Sequence, residues 1–232
     1  MVCCPSPTEN PERGAHLLVP AGGRGSRMGG MVKQFRDWGG RPLLRATLES
    51  FLAPGMPPLL GIALAVPRDR LEEVSAWVLP VPLWVTEGGE TRQASVARAL
   101  ALLPSEGDAA VMIHDAVRPF PPSEPLRLAL EALDAWDGTL LAEASTDTLK
   151  RVDFLGRVLR TEPRQEILRA QTPQIARLST WRMAFAWAQA QGFEGTDDVS
   201  LLEALGLRVK AIPSPPSNVK LTTLEDWARF AP

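Results

Sequence analysis

The chain is predicted to be an α/β domain with a mostly parallel central sheet flanked by helices, and three features of the sequence say so. From His16 onward, short apolar runs of strand length alternate with longer stretches whose apolar residues recur at helical spacing. Glycine loops follow two of those runs, where sheets of this kind open toward ligands. The 232 residues, 45% hydrophobic and 22% charged, suffice for one large domain around a real core and exclude a collagen-like or wholly disordered chain.

Taken in order, residues 1–15 hold Pro5, Pro7 and Pro11 in polar filler and lack a basic segment followed by a long apolar one. They read as a disordered tail rather than a secretory leader, leaving 16–232 as a single domain. Candidate strands are 16–20, 60–66, 83–86, 109–114 and 139–144. Residues 43–52 form a helix after Pro42, and 71–78 another. In 91–103, Val96, Leu100 and Leu103 share a face, with Arg92 and Arg98 left for solvent or ligand. After about residue 145 the rhythm changes. KRVDFLGRVLR alternates apolar and charged residues around Gly156, which predicts a two-stranded hairpin, a projecting arm over 148–162. Helices at 180–191 and 197–205, a strand at 208–212 and a last helix at 223–230 complete the chain.

A formal net charge of −2 gives no surface of the kind that binds nucleic acid, so any anion site must be local. The two cysteines, Cys3 and Cys4, are adjacent, and with only His16 and His114 beside them they support neither a disulfide framework nor a structural zinc site. A reducing cytoplasm is expected. The longest apolar runs fall far short of the roughly 18–20 residues of a membrane span.

The richest stretch for chemistry is VPAGGRGSRMGGMVKQF, residues 19–35. Its glycines let the backbone approach a ligand and present N–H groups to phosphate oxygens. Neither the GxxxxGK[ST] loop of an ATPase nor the GxGxxG dinucleotide fingerprint is present; what marks this loop is a pair of fixed cations, Arg27 and Lys33. In IHDAVRP, Asp115 follows a strand, where a carboxylate can hold a divalent cation or a ribose hydroxyl, and Arg118 can meet a phosphate. His114 reads as a hydrogen-bonded structural residue before it reads as a base. In GGETRQAS a second glycine loop opens a helix whose N–H groups favour an anion or a polar base edge, although Glu90 and Thr91 could simply cap it. Lysine is scarce, at four residues, so Lys220 in a proline-rich loop stands out.

Together these motifs resemble the 2-C-methyl-D-erythritol 4-phosphate cytidylyltransferase family. The match lies in PAGGRGSRM-x(4)-KQF, GGETRQAS, HDAVRP, DTLKR, QTPQ, TDDVSLLEALG and NVKLT, in the family's order over nearly all of 16–230. The resemblance implies a Rossmann-like nucleotidyltransferase fold, a homodimer embraced by the hairpin arm, CTP and a sugar-alcohol phosphate as substrates, and Mg²⁺. By the same resemblance Ala21, Gly22, Gly23 and Gly25 would wrap CTP, Gly89 and Ser95 would read the cytosine, and Asp115 would serve the ribose and the metal. Arg27, Lys33, Arg164 and Lys220 would be the catalytic cations, with Arg164 reaching across the dimer. Arg118, Thr148, Thr172, Thr196 and Asp197 would surround methylerythritol phosphate. A pentitol-phosphate cytidylyltransferase, a molybdenum-cofactor guanylyltransferase, which shares the AGGRGSRMGG start, and a catalytically silent nucleotide-binding module are the alternatives.

Overall fold

The structure, a computed structural model, describes residues 14–23 and 32–230. Seven strands form the main sheet: β1 (Ala15–Pro20), β2 (Leu59–Val66), β3 (Leu83–Glu87), β4 (Ala110–Ile113), β5 (Gly138–Ala144), β8 (Leu168–Arg177) and β9 (Val209–Pro213). Their order is β3-β2-β1-β4-β8-β5-β9, and every pairing is parallel except those that β8 makes with β4 and β5.

Both faces of the sheet are covered, and the two-residue period of a strand decides which side chain goes where. From β1 and β2, Leu17, Val19, Ile62, Leu64 and Val66 pack on one side with α1 (Leu43–Phe51), α2 (Leu71–Ser75) and α4 (Ser123–Ala132). Leu18, Ala63 and Ala65 face the other way, onto α3 (Arg92–Leu100), α5 (Leu178–Gln191) and α6 (Val199–Ala204). Each fully buried leucine contributes about 1.5–3 kcal/mol to this sandwich. A smaller cluster of Trp38, Leu43, Ala46, Leu221 and Trp227 ties α7 (Leu224–Phe230) and the loop carrying Lys220 against α1.

The predicted strands and helices are present with ends shifted by a few residues; β1 starts at Ala15, and the helix expected over 71–78 stops at Ser75. The hairpin is β6 (Lys150–Val152) with β7 (Val158–Thr161), an antiparallel pair outside the main sheet. Two further elements are concealed in the sequence pattern. Prolines crowd residues 119–125 and hide α4, yet Pro125 lies in its first turn, where the backbone N–H has no helical partner to lose. Pro173, with buried Gln171, Thr172 and Gln174, likewise disguises β8. The strand tolerates that proline because the β5–β8 register breaks between Leu140 and Ala142, opposite it, and β4 pairs only from Gln174 onward. The remainder of the expected tail, residues 1–13, lies outside the described residues.

The sheet order reverses at β1 and β4, so the loops at the carboxyl ends of β1 and β4 diverge and leave a crevice.

Candidate functional site

The crevice wall is set by two glycines. A Cβ on Gly22 would lie 2.9 Å from the Cα of Gly88, and one on Gly88 would lie 2.7 Å from the Cα of Gly22, so the loops after β1 and β3 touch backbone to backbone. Gln34, buried in the short helical turn after Val32, donates from Nε2 to the carbonyls of Ala21 (2.5 Å) and Gly23 (2.9 Å) and holds the first loop in place. The second loop is held by Ser95, whose Oγ accepts the Gly89 N–H at 3.0 Å and donates to the Thr91 carbonyl at 2.9 Å. Thr91 is the N-cap of α3, its hydroxyl accepting the Ala94 N–H at 3.0 Å, as the capping alternative for GGETRQAS allowed.

Asp115 follows β4 and meets three cations. Lys220 Nζ stands 3.0 Å from Oδ2, Arg118 Nε 3.4 Å from Oδ2, and Arg92 Nε 3.7 Å from Oδ1. Burial pushes this carboxyl up, but Lys220, Arg92 and Arg118 outweigh it and hold it well below the usual carboxylate range. Behind it, the Thr172 hydroxyl accepts the Asp115 N–H at 3.0 Å and lies 3.1 Å from His114 Nδ1, while His114 Nε2 lies 2.9 Å from the Arg118 carbonyl. One proton arrangement satisfies all three: Thr172 donates to Nδ1, and a neutral His114 donates from Nε2. Burial lowers the His114 pKa to about 4, in keeping with that neutral ring. His114 is a structural residue of the site.

Lys220 is delivered by its neighbours. Buried Asn218 donates from Nδ2 to Gln171 Oε1 (2.8 Å) and the Thr172 carbonyl (3.0 Å), and its own carbonyl accepts from Arg118 Nη1 at 2.6 Å. Leu221 N–H reaches the Val117 carbonyl at 2.9 Å. Lys33 Nζ donates to the Thr222 carbonyl, so it belongs to the same end of the molecule.

Beside the first residues of α3 lies the 194–198 loop. Gln174 Oε1 accepts the N–H groups of Asp198 (2.8 Å) and Val199 (2.9 Å), and its Nε2 donates to Asp197 Oδ2 at 2.8 Å. Asp197 Oδ1 accepts the Ser200 N–H, so both of its oxygens serve the loop itself. Arg92 Nη1 lies 2.6 Å from Asp198 Oδ1, while Asp198 Oδ2 has no hydrogen-bond partner among the described residues. Burial raises the Asp198 pKa, and Arg92 opposes that rise. A small cavity of about 50 Å³ is lined by Arg92, Gly195, Thr196, Asp197 and Asp198 among others.

The main cavity, about 740 Å³, is within the range of small-molecule sites, roughly 300–1,000 Å³. Its lining includes Gly22, Gly23, Gly89, Ser95, Asp115 and Lys220 from the expected set. Ala21 is buried directly behind it, Arg118 and Thr172 support Asp115 from below, and Thr196 and Asp197 line the neighbouring small cavity. Gly25 and Arg27 lie outside the described residues. Thr148 and Arg164 are not brought in within one chain: Thr148 is at the base of the arm and Arg164 in the short turn just after it, where its Nη1 donates to the Thr146 carbonyl at 3.3 Å. Sequence reading passes over Gln34 and Gln174, picks out Asn218 only as the neighbour of Lys220 without a role, and leaves Arg92 undecided between solvent and ligand. Each sits inside a quoted motif, which is the available signal, but an amide or guanidinium that grips another loop has no signature of its own in the chain.

Among the described residues no three or more His, Cys, Asp or Glu side chains cluster as a metal site. The donor set nevertheless fits Mg²⁺, which commonly binds one or two carboxylates plus substrate phosphates. Asp115 faces the cavity, and its Oδ1 has Arg92 only at 3.7 Å, beyond hydrogen-bond length.

The chain is similar throughout to known proteins. Residues 15–231 match the family model described as IspD: 2-C-methyl-D-erythritol 4-phosphate cytidylyltransferase. The 2-C-methyl-D-erythritol 4-phosphate cytidylyltransferase of Geotalea uraniireducens is 42% identical over 90% of this chain and 91% of its own length. That of Xylella fastidiosa (strain 9a5c) is 40% identical over 94% and 95%. Among solved structures, 4-diphosphocytidyl-2C-methyl-D-erythritol synthase from Anaerococcus prevotii superposes with a TM-score of 0.79 at 26% identity, covering 94% of this chain and 96% of that one. The cytidylyltransferase from Thermus thermophilus superposes with a TM-score of 0.73 at 30% identity, covering 93% and 96%. The fold, the order of the motifs and the meeting of Gly22, Gly89, Asp115 and Lys220 at one cavity agree with these matches, and the chain belongs to the 2-C-methyl-D-erythritol 4-phosphate cytidylyltransferase family.

Proposed function

We propose that the Asp115 crevice is where this chain carries out its family's reaction, transfer of CMP from CTP to 2-C-methyl-D-erythritol 4-phosphate with release of pyrophosphate. The observation that carries this placement is the convergence of Gly22, Gly89, Ser95, Asp115 and Lys220, from loops after three different strands and a late loop, on one cavity.

The acceptor's phosphate oxygen attacks the α-phosphorus in line. Both reactants are anions: CTP carries about −4 and the monoester close to −2, its second pKa being near 6. Two unit charges about 4 Å apart repel by roughly 4 kcal/mol at an effective dielectric of 20, so fixed cations are what the site must provide. Lys220 and Lys33 supply charge on the phosphate side, the family resemblance assigns Arg27 the same task, and Arg164 supplies charge from the second copy of the chain. A Mg²⁺ bound at Asp115 would neutralise phosphate oxygens. Because the attacking oxygen is already deprotonated at neutral pH, no strong general base is needed, and neutral His114 is free to act as scaffold. Rate then comes from positioning and from charge stabilisation at the reacting phosphorus.

The homodimer is part of the proposal. Among the described residues the strands of the arm pair only with each other, and a two-stranded ribbon is marginal alone. It also exposes Val152, Phe154, Leu155, Val158 and Leu159, with Phe154 95% exposed, apolar surface on both sides and at the tip of the ribbon that a second copy would cover. Thr148 and Arg164 would then enter the partner's crevice. Both substrates are water-soluble anions, which supports a cytoplasmic setting; among the described residues no helix is long and apolar enough to cross a membrane.

The deciding experiment is pyrophosphate release by the purified protein with Mg²⁺, pairing CTP or GTP with methylerythritol phosphate or a pentitol phosphate. Turnover with CTP and methylerythritol phosphate at the highest kcat/KM is expected. Preference for GTP or for the pentitol would transfer the chain to an alternative reading, and CTP binding without turnover would mark a silent module.

A further inference from the structure

We infer that Arg92 is a positioning residue that sets the spacing between the nucleotide side of the crevice, at Asp115, and the acceptor side, at the 194–198 loop. The inference rests on the reading of the crevice given above and adds to it a residue without an assigned role.

Arg92 is the first residue of α3, directly after the Thr91 cap, so its Cα is fixed relative to the Gly88–Gly89 wall. Its guanidinium extends in two directions at once: Nη1 is 2.6 Å from Asp198 Oδ1 and Nε is 3.7 Å from Asp115 Oδ1. Among the described residues, Arg92 alone lines both the main cavity and the small one. A planar guanidinium hydrogen-bonded to Asp198 and attracted by the Asp115 charge sets the separation of the two carboxylates more closely than a point charge on a flexible stem would.

The two carboxylates depend on Arg92 unequally. Asp115 keeps Lys220 at 3.0 Å and Arg118 at 3.4 Å if Arg92 is lost. Asp198 is 2% exposed, and Arg92 is the cation that pairs with it among the described residues. A buried carboxylate stripped of its partner moves or takes up a proton. The backbone of its loop is otherwise held by Gln174, and by Gln93, whose side chain bonds the Phe193 carbonyl (2.9 Å) and the Gly195 N–H (3.0 Å). Neither glutamine reaches the Asp198 carboxylate. Loss of Arg92 is therefore felt first at Thr196 and Asp197, on the acceptor side.

The test compares Arg92→Gln and Arg92→Lys with the unaltered protein, using steady-state kinetics in both substrates together with backbone hydrogen exchange. Arg92→Gln is expected to lower kcat about 10²-fold, the cost of misplacing a reactant by about an ångström. It should raise KM for the sugar phosphate about tenfold and change KM for CTP less than about threefold, with amides 196–199 exchanging faster while those of β4 do not. Arg92→Lys should recover about a tenth of normal kcat or more. Equal rises in both KM values would make Arg92 a nucleotide contact and overturn the inference, as would unchanged kinetics or an unchanged exchange pattern. If the unaltered protein shows no turnover with CTP and methylerythritol phosphate, the proposed function fails, and the exchange at 196–199 still decides the positioning role by itself.

Discussion

Lys220 Nζ stands 3.0 Å from Asp115 Oδ2, the shortest of the three ion pairs that converge on that carboxylate. The two partners differ in freedom: the Lys220 side chain is 46% exposed and that of Asp115 12%. Lys220 can therefore turn from Asp115 to an arriving phosphate, while Arg118 and Arg92 keep the carboxylate ionised. Lys220→Ala is expected to lower kcat by about 10²-fold, the loss associated with one charge-stabilising donor. The Mg²⁺ concentration for half-maximal rate should change less than about threefold in that variant. A kcat near normal would remove Lys220 from the reaction.

Lys33 is anchored on the Thr222 carbonyl, two residues beyond Lys220, which puts it beside the loop that carries Lys220. Lys33→Ala should likewise cost about 10²-fold or more in kcat. A loss seen only in KM would show that it binds substrate and transition state equally.

The contact between Gly22 and Gly88 leaves no room for a side chain, since a Cβ at residue 22 would come within 2.9 Å of backbone. Gly22→Ala should destabilise the fold by about 1–3 kcal/mol, as overpacking does. It should weaken CTP binding at least tenfold, measured by calorimetry on protein that urea titration shows to be folded; unchanged affinity would mean that this wall does not shape the nucleotide site.

His114 carries a pH signature. Its pKa drops from 6.5 to about 4 on folding because it is buried, so between those values the unfolded chain binds more protons than the folded one. This residue's contribution to stability is present above pH 6.5 and is lost as pH falls through that window. His114→Asn, although less stable at pH 7.5 for want of packing against Phe51, should show a shallower fall in urea-unfolding free energy from pH 7 to 5. Equal slopes for the two proteins would contradict the neutral buried ring.

Arg164 distinguishes a one-chain site from a shared one. Arg164→Ala should mainly raise KM for the sugar phosphate. Subunits carrying Arg164→Ala, mixed and reassociated with Lys33→Ala subunits, should regain about a quarter of normal activity, because random pairing makes half the dimers mixed and each mixed dimer holds one intact site. If no activity returns, both residues serve the same subunit's crevice.

Much of this protein was legible along the chain. Alternating strands and helices follow from local periodicity: Leu17 and Leu18 lie on opposite faces of β1 because successive side chains must, and that pattern is written in the sequence. Gly22, Gly89, Asp115 and Lys220 stood out because loops after parallel strands, glycine-rich or carrying a lone charge, are where such chemistry sits. Other features exist only once distant segments meet. β8 runs through a proline because the β5 register breaks opposite it, Arg92 acquires meaning from Asp115 on one side and Asp198 on the other, and Asn218 sets Lys220 by gripping β8. Periodicity is a property of neighbouring residues and survives in one dimension; the partner of a buried charge or amide is chosen by the packing of the sheet, and only the folded chain defines it.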